Sequence, residues 1–217
     1  MKKLKKTLTH GEVLDNWFPT IDTLKKQDSS THINFDDNLN LIYSGNLGLS
    51  QENNILKDFI RTSKLFKISI TFIGKGKIFE KERLFCKRNK IENIKFINSL
   101  NIKKLISFFS KFDYGIFSLN ENHVSGHVPG KYLAYIHNGL PVIGFINKKN
   151  PLNEEIKKNN LGLTFNSDNN ISIKKICEKI ILCKNSFSKE NSINFAKSKY
   201  SVEMAYSKII GKLNENN

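Results

Sequence analysis

Short apolar runs alternate with amphipathic stretches along most of this 217-residue chain. The apolar runs that predict β-strands are residues 39–46, 66–77, 91–100, 113–120, 141–145 and 161–165. Helical spacing of apolar residues marks 50–63, 78–90, 101–112, 130–138 and 150–160, and residues 170–215 predict two or three more helices. This alternation predicts an α/β fold, namely a doubly wound, mainly parallel sheet of about six strands with a helical C-terminal tail.

Several predicted helices carry start signals. Ser50 is a candidate N-cap for the first helix, because a serine hydroxyl can accept a hydrogen bond from a free backbone N–H. Asn150 followed by Pro151 predicts an N-cap and a first helical residue for the helix at 150–160. Residues 1–38 are mostly polar, so we interpret them as a lead-in segment and 39–217 as one Rossmann-like domain.

The chain carries a formal net charge of +15 at pH 7, which favours anionic partners. Most of this positive charge is lysine spread over every segment, because the arginines are only Arg61, Arg83 and Arg88. Evenly spread lysine is typical of a solvated surface, so we do not expect a nucleic-acid site. A positive face toward an anionic membrane is the stronger alternative.

Cysteine usage and the N-terminal pattern indicate a reducing compartment. The cysteines show neither a CxxC pair nor metal-ligand spacing; they are Cys86, Cys177 and Cys183. The basic start of the chain lacks the apolar run of a secretion signal, and no window reaches the about 18 apolar residues that span a bilayer. We therefore expect a cytoplasmic protein, soluble or peripheral at a membrane face.

In a doubly wound sheet ligands bind at the carboxyl ends of the strands, so the loops there hold the candidate site residues. "YSGNLGLSQ" (43–51) has two glycines, which let a pyrophosphate approach a helix N-terminus or else form a plain tight turn. Lys75, beside glycines at the next strand end, either contacts phosphate or points to solvent. Lys131 lies in the first turn of a predicted helix, where a cation beside free N–H groups favours an anion, although any helix can carry a lysine.

His123 and His127 have the four-residue spacing of metal ligands on a helix. Gly126 and Pro129 prevent a helix at this place, and no third ligand lies nearby in the sequence. We therefore expect no metal site. The chain also lacks a Gly-x-Ser-x-Gly elbow and a cysteine with a supporting pattern, so the catalytic residues stay unassigned.

The order and spacing of several segments resemble the C-terminal, nucleotide-sugar-binding half of family 4 glycosyltransferases of the GT-B class. These segments are "HGEVLDNWFP" (10–19), "LIYSGNLGLSQ" (41–51), "ITFIGKGK" (70–77), "IKFINSLNIKKLISFFSKFDYGIFSL" (94–119), "VPGKYLAYIHNGLPVIGF" (128–145) and "NEEIKKNNLGLTF" (153–165). The "SGNLG" turn and the "VPxK" pattern before the helix look most like bacterial O-antigen and capsule sugar transferases.

The resemblance implies a nucleotide-sugar donor, often UDP-linked, bound along the carboxyl edge of the sheet, with retaining transfer and no metal or other cofactor. The residues that it implies as donor-binding are Gly45, Asn46, Gly48, Lys75, Asn98, Pro129, Gly130 and Lys131. The first three would approach the diphosphate, and the segment around Asn98 would meet the base. Two carboxylates common in relatives, one of which binds the ribose, are replaced by Gly126 and Ala134. An arginine-lysine pair usual in the first loop is also absent, with Leu47 and Gln51 nearby instead, so more of the phosphate charge would be neutralised by Lys75 and Lys131.

The resemblance also implies a second domain that binds the acceptor, a lipid-linked saccharide at the inner membrane face. Residues 10–19 resemble the interdomain connection, so we expect either a separate acceptor-domain subunit or a truncated gene product. The first hypothesis is the donor-binding half of a transferase for bacterial surface polysaccharide, either lipopolysaccharide O-antigen or capsule. The alternatives are a non-catalytic nucleotide-sugar-binding module or remnant, and a basic α/β protein that binds nucleic acid.

Overall fold

The computed structural model describes residues 15–19, 37–123, 127–166 and 171–215, which contain a single parallel sheet. Its strands are β1 (Leu39–Asn46), β2 (Ile68–Lys75), β3 (Ile94–Asn98), β4 (Tyr114–Ser118), β5 (Val142–Phe145) and β6 (Gly162–Phe165). Their order is β3-β2-β1-β4-β5-β6, and every neighbouring pair is parallel. This is the doubly wound order of dinucleotide-binding folds, so the predicted fold class is confirmed.

Helices follow the strands where the sequence predicted them. Within the described ranges they are α1 (Asn54–Thr62), α2 (Lys77–Arg88), α3 (Ile102–Phe109), α4 (Gly130–His137), α5 (Leu152–Lys158), α6 (Ile173–Leu182), α7 (Lys189–Tyr200) and α8 (Val202–Glu215). The C-terminal tail is therefore three helices. None of the helices in this part of the chain is long and apolar enough to cross a membrane.

The sheet divides the core into two apolar layers. Helices α1, α2 and α6 cover one face, and α3, α4, α5 and α7 cover the other. In β1, Leu41 and Tyr43 belong to the first layer and Ile42 to the second, because successive side chains of a strand point to opposite faces. Both faces are covered, which explains why the strand segments are almost continuously apolar.

The prediction of Ser50 as the first helix cap is wrong. Residues Leu49–Gln51 form a single 3₁₀ turn, and Asn53 caps α1 by accepting a hydrogen bond from the Leu56 N–H at 3.2 Å. The Asn53 amide also donates to the carbonyl of Leu119, directly after β4, at 3.2 Å and to that of Phe145, the last residue of β5, at 3.3 Å. Contacts with residues far along the chain therefore favour Asn53 as the cap, and a rule based on neighbouring residues alone cannot predict them.

The start of α5 is shifted by one residue from its prediction. Pro151, predicted as the first helical residue, occupies the N-cap, and the helix begins at Leu152. Asn150 still serves the helix start, because its side-chain oxygen accepts from the Leu152 N–H at 3.0 Å. The capping chemistry was predicted correctly and its position was not.

Residues 15–19 lie against the C-terminal helices. The Phe18 N–H donates to the Tyr200 carbonyl at 3.0 Å, and Asp15 forms an ion pair with Lys208 at 3.1 Å. The rest of the predicted lead-in, up to residue 36, lies outside the described residues, so the domain boundary at residue 38 stays a prediction.

Candidate functional site

The strand order reverses between β1 and β4, and ligands of open α/β sheets bind at such a point. These two strands pair only over Leu41–Tyr43 and Tyr114–Ile116. β1 continues beyond that pairing alongside β2, as far as Asn46 opposite Lys75. The carboxyl end of β1 is thus unpaired on its β4 side, which defines the candidate site.

Glycines let the chain turn tightly at the ends of β1 and β2. Gly45 has a φ of 90° and Gly76 a φ of 134°, which side-chain-bearing residues rarely adopt. Gly74 lies opposite Gly45, and a Cβ on Gly74 would stand 2.0 Å from the Gly45 carbonyl oxygen. The two strand ends approach so closely that only glycine fits, and this leaves backbone rather than side chains at the site.

The Lys131 side chain crosses over the end of β1. Its Nζ lies 3.8 Å from where a Cβ would stand on Gly45, and 5.2 Å from the centroid of the Tyr43 ring. Helix α4 packs on one face of the sheet, whereas Tyr43 belongs to the core layer of the other face. Lys131 therefore reaches from one face toward the other across the space that the missing Gly45 side chain leaves open.

The charge on Lys131 has no counter-charge among the residues that the structure describes. Among the described residues no carboxylate forms an ion pair with it. Burial lowers the pKa of Lys131 to about 8, because desolvation disfavours the charged form. A partly buried cation without a counter-charge, at the start of a helix with no acidic residue in its first turn, favours an anionic ligand.

The loop after β1 is held by Gln51, a residue that the sequence analysis did not assign to the site. The Gln51 side-chain oxygen accepts from the Gly48 N–H at 3.2 Å and from the Asn46 amide at 3.3 Å. Its own carbonyl accepts from the Ser118 hydroxyl at 2.7 Å, which ties the loop to the end of β4. The available signal was a glutamine three residues after Gly48, the spacing of a capping box.

The predicted donor-binding residues fall into one group and two outlying positions. Gly45, Asn46 and Gly48 form the turn beside Lys131, and Pro129 and Gly130 begin α4 directly before it. Lys75 is exposed at the end of β2, one strand away.

Asn98 is the second outlying position. It is exposed at the end of β3, and pairs in register with Gly74. All of these residues lie along the carboxyl edge of the sheet, and their roles in binding stay predictions.

A second residue missed by the sequence analysis is Tyr135. Its hydroxyl lies within hydrogen-bond distance of the Ser44 N–H at 2.8 Å, on the unpaired side of β1. The only sequence signal was Gly115 inside β4, because a glycine within a strand often marks a close approach. A Cβ on Gly115 would stand 2.4 Å from the Tyr135 ring.

The loop between β4 and α4 contains the histidine pair. His123 and His127 are not helical, and their rings lie 5.7 Å apart in an edge-on arrangement. In the described part of the chain no group of three or more His, Cys, Asp or Glu side chains could hold a metal ion. Metal independence stays a prediction. Gly126 lies outside the described residues, and Ala134 is buried within α4.

No protein-family model and no curated protein sequence matches this chain. Solved structures do match. The lipopolysaccharide outer core galactosyltransferase WaaB superimposes with a TM-score of 0.62 at 15% identity, covering 93% of this chain and 56% of WaaB. Anabaena HepE in complex with UDP-glucose gives 0.60 at 15% identity, covering 82% of this chain and 49% of HepE.

A third similar structure is the pneumococcal O-GlcNAc transferase GtfA in complex with UDP and GlcNAc. It gives a TM-score of 0.58 at 17% identity, covering 82% of this chain and 35% of GtfA. The chain therefore spans about half or less of the length of these proteins. Together these matches show that it has the Rossmann-like fold of one domain of GT-B glycosyltransferases.

Proposed function

We propose that this chain is the donor-binding half of a glycosyltransferase that takes a UDP-linked sugar for bacterial surface polysaccharide synthesis. The observation that carries the proposal is the Lys131 ammonium, which forms no ion pair with any described residue and lies over the glycine end of β1 at the reversal of strand order. The similarity in fold to HepE and GtfA, which were solved with UDP-glucose and with UDP and GlcNAc, supports the same ligand class.

The chemistry of the proposed site follows from the charge that develops on the leaving group. When the bond between sugar and diphosphate breaks, the diphosphate oxygens gain negative charge. Lys131 and the free N–H groups that begin α4 would stabilise that charge, with Lys75 adding a second cation at the edge. These groups would supply the positive charge that a metal ion supplies elsewhere, so we propose transfer with retention and without a metal cofactor.

The residues that bind the acceptor saccharide would lie outside the described residues. A GtfA/B complex is among the similar structures, at a TM-score of 0.56 and 16% identity, which supports a second subunit as the acceptor-binding partner. We propose a lipid-linked saccharide as acceptor and a cytoplasmic protein peripheral to the inner membrane. Nucleic acid is not a proposed partner.

Calorimetry with UDP, GDP and several UDP-sugars tests the donor site directly. We expect UDP and at least one UDP-sugar to bind, and Lys131→Met to weaken binding about tenfold to a hundredfold, since a charged hydrogen bond is lost. Lys111→Met is the matched control, because the Lys111 ammonium also lies over an aromatic ring, 5.5 Å from the Phe108 centroid. If no nucleotide binds at millimolar concentration, the donor-site proposal is wrong.

The second candidate is a non-catalytic nucleotide-sugar-binding module. The single sheet of the described residues favours it, because one such domain can bind a nucleotide-sugar without transferring the sugar. Both candidates predict UDP-sugar binding, so turnover separates them. Transfer of labelled sugar to membrane lipid extract in the presence of the neighbouring gene products would support the transferase, and binding without any transfer would support the module.

A further inference from the structure

Tyr135 lies one helical turn after Lys131 on α4 and is completely buried. Residues four apart on a helix share a face, so both side chains point from α4 toward the end of β1. The residues that they contact are consecutive on β1. Lys131 lies over Tyr43 and Gly45, and Tyr135 contacts Ser44, which lies between those two. The two side chains thus contact adjacent points of one strand end.

Where the backbone pairing of β1 with β4 ends, the Tyr135 hydroxyl forms hydrogen bonds with both strands. It accepts from the Ser44 N–H at 2.8 Å and from the Ser44 hydroxyl at 3.0 Å. It can donate its single proton to the Ile116 carbonyl at 3.2 Å, or more weakly to Ile42 at 3.4 Å. A phenol accepts two hydrogen bonds and donates one, so this hydroxyl is fully used within the protein.

The Tyr135 ring packs closely against both β4 and α3. Gly115 on β4 lies directly beneath it, since a Cβ there would stand 2.4 Å from the ring. Phe109 of α3 meets the ring edge-on, with centroids 5.3 Å apart. A ring held from both sides, with a hydroxyl bonded to β1 and β4, fixes the distance between α4 and the end of β1.

We propose that Tyr135 is a positioning residue for the anion site, holding Lys131 over Gly45 by locking α4 to Ser44. This inference rests on the proposed function for its effect on donor binding. The cause is geometric, because losing the hydroxyl would leave the buried Ser44 N–H without its partner. The start of α4 would then move relative to β1, and Lys131 would turn toward solvent.

The first test compares two buried tyrosines of α4. Tyr135→Phe removes the hydroxyl and keeps the ring, and we expect UDP to bind about fivefold more weakly, the effect of one lost hydrogen bond. Tyr132→Phe is the matched control, since its hydroxyl donates to Glu155 at 2.7 Å and serves the packing against α5. We expect this control to lose stability and to keep wild-type affinity for UDP.

A double-mutant cycle shows whether Tyr135 acts through Lys131. In a Lys131→Met background, Tyr135→Phe should cause no further loss of UDP affinity, because the positioned group is already absent. An equal loss in both backgrounds would overturn the proposal.

The ionisation of Lys131 gives a test that needs no ligand. An NMR titration of the lysine side chains, assigned with Lys131→Met, should give a Lys131 pKa near 8 in the wild type. Tyr135→Phe should raise that pKa toward 10.5, the ordinary value for lysine, and Tyr132→Phe should not. An unchanged pKa in Tyr135→Phe overturns the positioning role even if UDP binds.

The proposed donor-binding function and the positioning role of Tyr135 can fail independently. A wild type that binds no nucleotide would overturn the proposed function, while the NMR comparison would still decide the positioning role. If Tyr135→Phe does not fold, Ser44→Ala replaces it. That variant removes one of the two hydrogen bonds donated to Tyr135, so it should raise the Lys131 pKa by a smaller amount, and no change would count against the proposal.

Discussion

The Lys131 ammonium lies 3.8 Å from the point where Gly45 would carry a Cβ. This contact joins the first turn of α4 to the end of β1, two elements that are far apart in the sequence. It places a positive charge, which no carboxylate of the described residues pairs with, where the strand order reverses. We therefore expect changes at Gly45 and Lys131 to alter the affinity for a UDP-sugar.

Replacing Gly45 with alanine should damage both stability and binding. At a φ of 90° an alanine is strained, so we expect a loss of about 1–2 kcal/mol in the free energy of unfolding. The new methyl would also contact the Lys131 side chain and weaken UDP binding. Urea denaturation and calorimetry measure the two effects. Gly211→Ala is the control, because a Cβ there meets nothing within 4 Å and helix α8 should gain stability.

The affinity for a UDP-sugar should depend on pH through Lys131. Its folded pKa of about 8 means that the free site holds the proton below that pH and loses it above. A bound diphosphate favours the charged form, so affinity should stay constant below pH 8 and fall as the pH rises beyond it. Calorimetry between pH 6.5 and about 9.5, a range wide enough to include this titration, measures the trend. If Lys131→Met shows the same fall in affinity above pH 8, a titratable group other than Lys131 causes it.

Glu82 should make the protein less stable as the pH rises. Its carboxylate is buried, no group in the described ranges donates a hydrogen bond to either oxygen, and the nearest Arg61 nitrogen is 3.7 Å away. Burial raises the pKa of Glu82, so its favourable contribution is full below the unfolded pKa of 4.5 and is lost as pH rises through the folded pKa. Glu82→Met should therefore be stabilising at pH 7 and close to neutral at low pH, since the Arg61 that it leaves is partly exposed and still pairs with Asp58 at 3.7 Å.

Urea denaturation of Glu82→Met at several pH values tests this expectation. The control is Glu80→Met on the same helix, because the exposed Glu80 pairs with Arg83 at 2.6 Å on the surface. We expect the control to change stability by less than about 0.5 kcal/mol. A Glu82→Met protein that is less stable than wild type at neutral pH would show that the Arg61 contact outweighs the desolvation.

Glu155 of α5 should hold α7 against α4 and α5. It accepts hydrogen bonds from the hydroxyls of Tyr132 and Tyr200, both at 2.7 Å, and pairs with Lys199. Glu155→Ala leaves two buried hydroxyls without an acceptor, so we expect a loss of about 2–4 kcal/mol. Hydrogen exchange should rise first in α7. Glu154→Ala, an exposed neighbour in the same helix, should have little effect.

Much of the fold was predictable because its signals are local. Each strand and helix matches an apolar run or a helical periodicity, and the alternation alone predicted the doubly wound sheet. The cap at Asn53 was not predictable, because it is selected by carbonyls at the ends of β4 and β5. Local rules favoured Ser50, which has the right chemistry without those contacts.

The sequence by itself determined which residues reach the carboxyl edge of the sheet, since each follows a strand and every strand of a parallel sheet ends at the same edge. Only the tertiary structure decided which of them meet. Lys131 contacts Gly45 rather than Lys75 or Asn98 because the first turn of α4 lies at the end of β1, and Tyr135 bonds Ser44 because β1 and β4 stop pairing there. Those contacts depend on strand order and close packing, which no local pattern specifies.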